Sequence, residues 1–272
     1  MTDIRLIAAD MDHTLLTEAG ELPPRFDDWL RRLDDAGIVF VPASGRPLTT
    51  LKAMFPTRGR SIGYISDNGG LVSLGNDILF ESLLPGESYR AMAALTARRT
   101  SGVPIVCGVE SAYVPFAHRA HEDYLRRFYA NITFVDELAD VDVDADKFTA
   151  YFPDADARMH YEQLYAPTYG ADYSVTVGGP VWVDVMNPGV HKGNALRVLA
   201  DHLGLASEQM MAFGDTDNDL EMLDAVHHSY AVANADQSVR DRARFTTDSN
   251  DDYGVLTVIR RLLDEEDSTA RE

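Results

Sequence analysis

Asp10 and Asp12 stand two residues apart, directly after the apolar run 4–9. Past a strand end both carboxylates can face one cavity, where their repulsion must be relieved by a cation or a raised pKa. Ordinary turn capping by an Asp pair is the competing reading. Asp215, Asn218 and Asp219 add hard oxygen ligands after a second apolar run, 209–213. Oxygens of that kind suit Mg2+, which keeps waters and prefers few carboxylates plus a phosphate. A calcium loop is suggested by the alternation of Asp215, Asp217 and Asp219, but Leu220 stands where its sixth position needs glycine. Lys192 falls in the first turn of a helix, where it opposes the positive end of the macrodipole unless it faces acids or a phosphate. Ser44-Gly45 offers a hydroxyl and backbone N–H groups at a helix entry, a small anion site, though Ser-Gly is also a common turn.

The elements that must position these groups follow from the apolar pattern. Run 4–9 reads as a buried strand, and Pro23 and Pro24 can open a helix that presents Phe26, Trp29, Leu30 and Leu33 before Gly37 stops it. A second buried strand, 38–41, runs into Ala43-Ser44-Gly45-Arg46-Pro47, completing a βαβ unit of a parallel sheet. The same grammar returns late in the chain. A helix led by His191-Lys192-Gly193 presents Leu196, Leu199, Ala200 and Leu203 and closes at Gly204. Strands over 209–213, 228–232 and 245–247, a helix from Leu220 and a closing helix over 255–263 complete it. Residues 1–82 and 188–272 therefore read as two halves of one α/β domain. Residues 83–187, with short strands over 103–106, 112–115, 132–135, 148–152, 173–177 and 181–185, read as an antiparallel α+β insert. Turns at Gly69-Gly70 and Gly75-Asn76-Asp77 mark a hairpin before the insert, and Asn187-Pro188-Gly189 a turn after it.

Taken in order along the whole chain, the clusters resemble the haloacid dehalogenase superfamily. The residues that carry the resemblance are Asp10-Met11-Asp12-His13-Thr14, Ser44-Gly45-Arg46, Lys192-Gly193 and Gly214-Asp215-Thr216-Asp217-Asn218-Asp219. The insert between Ser44 and Lys192 is similar to that of the Cof-type phosphatases with an α/β cap, as are Ala233-Asn234-Ala235 and Tyr253-Gly254-Val255. The resemblance implies a Rossmann-like parallel-sheet core with an inserted cap, and phosphoryl transfer in which Asp10 is the nucleophile and Asp12 the general acid, then base. It implies Mg2+ at a metal set of Asp10, Asp12, Asp215 and Asp219. Asp10 and Asp215 would give side chains and Asp12 its backbone carbonyl, while Asn218 and Asp219 orient that shell. Lys192, Ser44 and the N–H groups of Met11 and Gly45 would hold the phosphoryl oxygens, with Asn218 beside them and Arg46 adding charge. His13 stands where the Cof-like group usually has Gly; a partly exposed loop residue is the plain reading, a contact to substrate or to the acid/base the sharper one.

Composition bounds the partners. Asp and Glu number 44 against 24 Lys and Arg, a net charge of −20, and no basic stripe offsets it, which excludes nucleic acid and anionic membranes. The single cysteine, Cys107, lies by an apolar run and reads as a core thiol. Asp3 and Arg5 interrupt the start, so no signal-peptide core is present, and no run is long enough to span a membrane; the expectation is a cytoplasmic protein. His118, His121 and Glu122 lack a further zinc ligand, Asp140, Asp142, Asp144 and Asp146 read as solvated acids, and Trp182 packs the cap core or lines its pocket. The expected partner is a small phosphate ester, and the expected state a monomer or weak homodimer. The alternatives are a phosphohexomutase of a related capped branch and a non-catalytic ligand-binding regulator.

Overall fold

Strand β1 (Leu6–Asp10) is buried along its whole length, with two alanines that let helices pack close on either face. In the computed structural model, which describes residues 3–269, it is the middle of an eight-stranded sheet. The extreme ends of the expected core, 1–2 and 270–272, lie outside the described residues. The helix Phe26–Asp35 begins after the two prolines and buries Phe26 edge-on against Phe40, with ring centroids 5.4 Å apart. Gly37, at φ +73, then turns the chain into β2 (Val39–Ala43). Strand β3 (Gly63–Ser66) lies parallel to β2, and β4 (Leu71–Leu74) and β5 (Asp77–Glu81) extend the sheet as antiparallel hairpins.

The insert builds a second sheet from β6 (Val103–Gly108), β7 (Ala112–Pro115), β8 (Ile132–Val135), β9 (Ala145–Tyr151), β10 (Ser174–Val177) and β11 (Trp182–Met186), in the order β10-β11-β9-β6-β7-β8. It is antiparallel as expected except that β7 and β8 run parallel, because helical turns between Phe116 and Leu125 carry the chain back across before β8 begins. Strand β9 starts earlier than expected and takes in Asp146 and Lys147, both buried, so Asp146 is not one of the solvated acids; Asp140, Asp142 and Asp144 are exposed. The chain then re-enters the first sheet through β12 (Met210–Gly214), β13 (His228–Ala231) and β14 (Phe245–Thr246), all parallel. The closing helix spans Gly254–Thr269.

Strand β1 is flanked by β2 on one side and β12 on the other, so the strand order switches direction at β1. In an open parallel sheet that switch opens a crevice at the strands' carboxyl ends. The two passages between the sheets are tied to each other, since the Asn187 amide donates to Ser82 Oγ at 3.0 Å and to the Leu83 carbonyl at 2.8 Å. Among the described residues no helix is long and apolar enough to cross a membrane. Cys107 is a buried thiol beside Thr149, and burial pushes it up to about 12.

Candidate active site

Each parallel strand delivers a polar group to the crevice as it ends. Asp10 is the last residue of β1, Ser44 follows β2, Asp67 follows β3 and Asp215 follows β12. Lys192 opens the helix Lys192–Leu203 on the other flank, fully buried. Its ammonium donates to the Asp10 carboxylate and, at 2.7 Å, to Asp219. The far oxygen of Asp219 accepts from the N–H groups of Asp215, at 2.9 Å, and Thr216. That fold-back is possible only because residue 214 is glycine, since a Cβ there would stand 2.5 Å from Cβ of Asp219. Thr14 donates to Asp215 at 2.8 Å.

Oxygens of Asp10, Asp215 and Asp219 lie within 4.8 Å of one another, and all three residues are buried. Three carboxylates against one ammonium leave a deficit of positive charge. Burial, then Asp219, push the Asp10 carboxyl up to about 7 against the pull of Lys192. Burial and Asp10 likewise raise Asp215 well above the carboxylate range. A compact set of hard, charge-starved oxygens fits a small divalent cation such as Mg2+.

Residues 11–15 form a tight turn over this cluster, with His13 in the left-handed region at φ +63. That backbone explains why glycine suits the position. The His13 ring points outward to Glu18 at 2.9 Å and is about half exposed, as the plain reading expected. Asp12 is held bidentate by Arg46, at 3.0 and 2.6 Å, and its side chain keeps 37% exposure toward the crevice. Arg46, expected at the phosphoryl group, also donates to the Arg127 carbonyl of the insert and lies over the Phe128 ring. Ser44 Oγ accepts the Arg46 N–H at 3.1 Å, which turns the chain into the helix Leu48–Met54.

A second buried charge cluster joins the two sheets. Lys147 of β9 donates to the Gly45 carbonyl and pairs with Asp67 at 3.2 Å and Asp184 at 3.5 Å. Asp184 accepts from Thr149 and from Asn68, each at 2.7 Å, and Asn68 in turn accepts from Asn218 at 3.2 Å. Asp67 and Asn68 both have positive φ, so the loop that reaches the insert is held in a conformation few side chains favour. The Asp146 carboxyl is raised well above its usual range, chiefly by burial and then by the neighbouring Asp67.

A cavity of about 710 Å³ opens between the sheets, floored by Asp10, Asp12, Ser44 and Asp215 and roofed by the insert. The family model for haloacid dehalogenase-like hydrolases matches residues 7–259. The chain belongs to the haloacid dehalogenase superfamily. It is 31% identical over 269 residues to the 5-amino-6-(5-phospho-D-ribitylamino)uracil phosphatase YbjI of Escherichia coli (strain K12), covering 97% of each chain. It is 25% identical to the phosphoglycolate phosphatase of Methanothermobacter thermautotrophicus, covering 96% of this chain and 99% of the other. Among solved structures, SMU.1108c from Streptococcus mutans UA159 matches with a TM-score of 0.87 and 28% identity, over 96% of this chain and 99% of that one. The HAD subclass IIB sugar phosphatase BT4131, at 21% identity and a TM-score of 0.78 over 95% of this chain and 98% of that one, shares the capped fold.

Within that haloacid dehalogenase frame the structure brings Asp10, Asp12, Ser44, Arg46, Lys192, Asp215, Asn218 and Asp219 around one crevice. Asn68, Lys147 and Asp184 are polar residues of the site that sequence reasoning passed over, and Thr14, present in the first motif without a role, donates to Asp215. Lys147 carried only a weak signal, standing with Asp146 directly before the strand expected over 148–152, and its partners lie on distant elements. The half-buried, stacked pair His118 and His121 stays outside the acidic cluster, which is the one candidate metal group among the described residues.

Proposed function

We propose that this phosphatase is Mg2+-dependent and hydrolyses a small phosphorylated metabolite through a phosphorylated Asp10. The observation that carries the reading is the buried set Asp10, Asp215 and Asp219 with one matching ammonium, Lys192. Mg2+ would be held by the side chains of Asp10 and Asp215 and the backbone carbonyl of Asp12, with Asp219 and Asn218 orienting those groups. When bound, the ion supplies the positive charge that these carboxylates lack and draws the phosphoryl oxygens toward Asp10.

Lys192, Ser44 and the N–H groups of Met11 and Gly45 hold the phosphoryl group with phosphorus in line with an Asp10 oxygen. Asp10 attacks phosphorus, the ester P–O bond breaks, and Asp12 gives its proton to the leaving oxygen. Asp12, oriented by Arg46, then takes a proton from water as that water attacks the same phosphorus. Inorganic phosphate leaves and the Asp10 carboxylate is restored. Residues 83–187 act as a cap that excludes bulk water and selects the leaving group, with connections near 82–83 and 187–188. A monomer or weak homodimer in the cytoplasm is the setting we propose.

Relatives named as phosphatases favour hydrolysis over passage of the phosphoryl group to a second sugar hydroxyl. Their names span a two-carbon acid and a ribitylaminouracil, so they do not select the leaving group. The test is phosphate release from a panel of sugar, nucleotide and vitamin phosphates. Steady release with Mg2+, loss with chelator and loss in Asp10→Asn are expected. Full turnover by Asp10→Asn refutes the covalent step.

A further inference from the structure

Asp10, Asp12 and Ser44, proposed above to serve the phosphoryl group, line only the floor of the cavity. On the roof, Trp182, Tyr124, Phe128 and Tyr129 line the same space. Trp182 packs on Tyr151 at 4.9 Å, meets Phe128 edge-on at 5.1 Å and lies stacked with Tyr124 at 6.2 Å. A side chain that served only the insert's core would be sealed, yet Trp182, Tyr124 and Phe128 all keep partial exposure at the cavity. The strand connection beside Trp182 is Gly178-Gly179-Pro180, and a Cβ at Gly179 would meet nothing within 4 Å, so space is left open there. The Arg127 guanidinium sits 5.5 Å over the Tyr124 ring, adding a cationic face to the rim. A cavity of about 710 Å³ matches the size range that encloses a ligand of drug-like dimensions, far more than a phosphate on two carbons fills.

We infer that the leaving group of the substrate carries a planar unsaturated ring, seated against Trp182, Tyr124 and Phe128 while its phosphate lies at Asp10. Ring-on-ring contact favours offset-stacked or edge-on geometries, and this wall supplies both. The inference rests on the phosphatase reading of the floor and adds the identity of what the roof holds.

Two matched pairs of esters test it with the full chain and Mg2+: riboflavin 5′-phosphate against ribitol 5-phosphate, and uridine 5′-monophosphate against ribose 5-phosphate. In at least one pair we expect kcat/KM at least tenfold higher for the ring-bearing ester, expressed mainly in KM. Trp182→Leu, and separately Tyr124→Leu, should shrink that ratio to within threefold; two variants guard against one that fails to fold. Equal or better turnover of the ring-free ester in both pairs overturns the inference, as does a ratio that survives both substitutions. If no ester is hydrolysed, the phosphatase reading fails on its own. Binding to Asp10→Asn then still decides the ring: tryptophan fluorescence quenched by a ring-bearing ester but not its partner, and lost with Trp182→Leu, upholds it, and no such difference overturns it.

Discussion

Replacing Lys147 by Met keeps the length of the side chain and removes its charge, which makes the joint between the two sheets a measurable quantity. The Lys147 side chain is 2% exposed, and those of Asp67 and Asp184 are 4% and 5% exposed. Without the ammonium, both carboxylates stay buried beside Asp146, and the Gly45 carbonyl loses its donor. Removing one partner of a buried pair costs about 3–5 kcal/mol, because the charge left behind is uncompensated. For a chain of this size, each kcal/mol moves the melting midpoint by roughly 2–4 °C, so Lys147→Met should melt about 10 °C below the parent. Thermal unfolding followed by circular dichroism at pH 7 reads this directly. Adding Asp67→Asn and Asp184→Asn removes the stranded charges and should recover about half of the loss. A fall under about 2 °C for Lys147→Met, the size of an ordinary surface change, refutes the account of the cluster as a matched set of charges.

Two further outcomes follow from neighbouring features. Asp146 has its pKa raised well above 3.8 by burial and by Asp67, so its contribution is fully present below the unfolded value and is lost as pH rises through the folded one. Urea unfolding from pH 4.5 to 8 should therefore show parent stability declining more steeply than that of Asp146→Asn; identical slopes would remove Asp146 as the source. Gly214→Ala places a methyl 2.5 Å from Cβ of Asp219 and must displace the carboxylate that receives the Asp215 N–H. Misplacement of a positioning group by about 1 Å costs roughly 100-fold, so kcat/KM should fall by about that factor while the chain still folds, and an unaltered kcat/KM would contradict the fold-back.

The placement of the crevice floor was legible because each of its groups directly follows or precedes an apolar run. Asp10, Ser44 and Asp215 sit at the ends of buried strands, and Lys192 at a helix start, so periodicity alone puts them on one edge of the sheet. Lys147 was hidden for the opposite reason. Its burial makes sense only with Asp67 and Asp184, which come from a core loop and another strand. The parallel pairing of β7 with β8 was equally invisible, since the direction of β8 depends on where the turns between Phe116 and Leu125 return the chain. At His13 the departure from glycine was visible in the sequence, whereas the φ of +63 that gives glycine its advantage is a property of the backbone. Trp182 stood between two readings, and its place on the cavity wall comes from the bend at Gly178-Gly179-Pro180 beside it.

The net charge of −20 and the site obey one electrostatic constraint at two scales. Over the surface the excess of acids repels polyanions, and in the crevice the same excess is concentrated, with Asp10, Asp215 and Asp219 set against Lys192 alone. Arg46 does not relieve this, because both of its bonds toward the crevice are spent on Asp12. Lys147 does not either, because its ammonium is enclosed by Gly45, Asp67 and Asp184. A phosphate ester that brings further negative charge therefore meets a floor already short of cations, and in so buried a place the shortage is weakly screened. On the proposed reading the divalent ion must bind before or together with the ester. Tight binding of the ester in the presence of chelator would place the missing positive charge on a side chain of this protein instead.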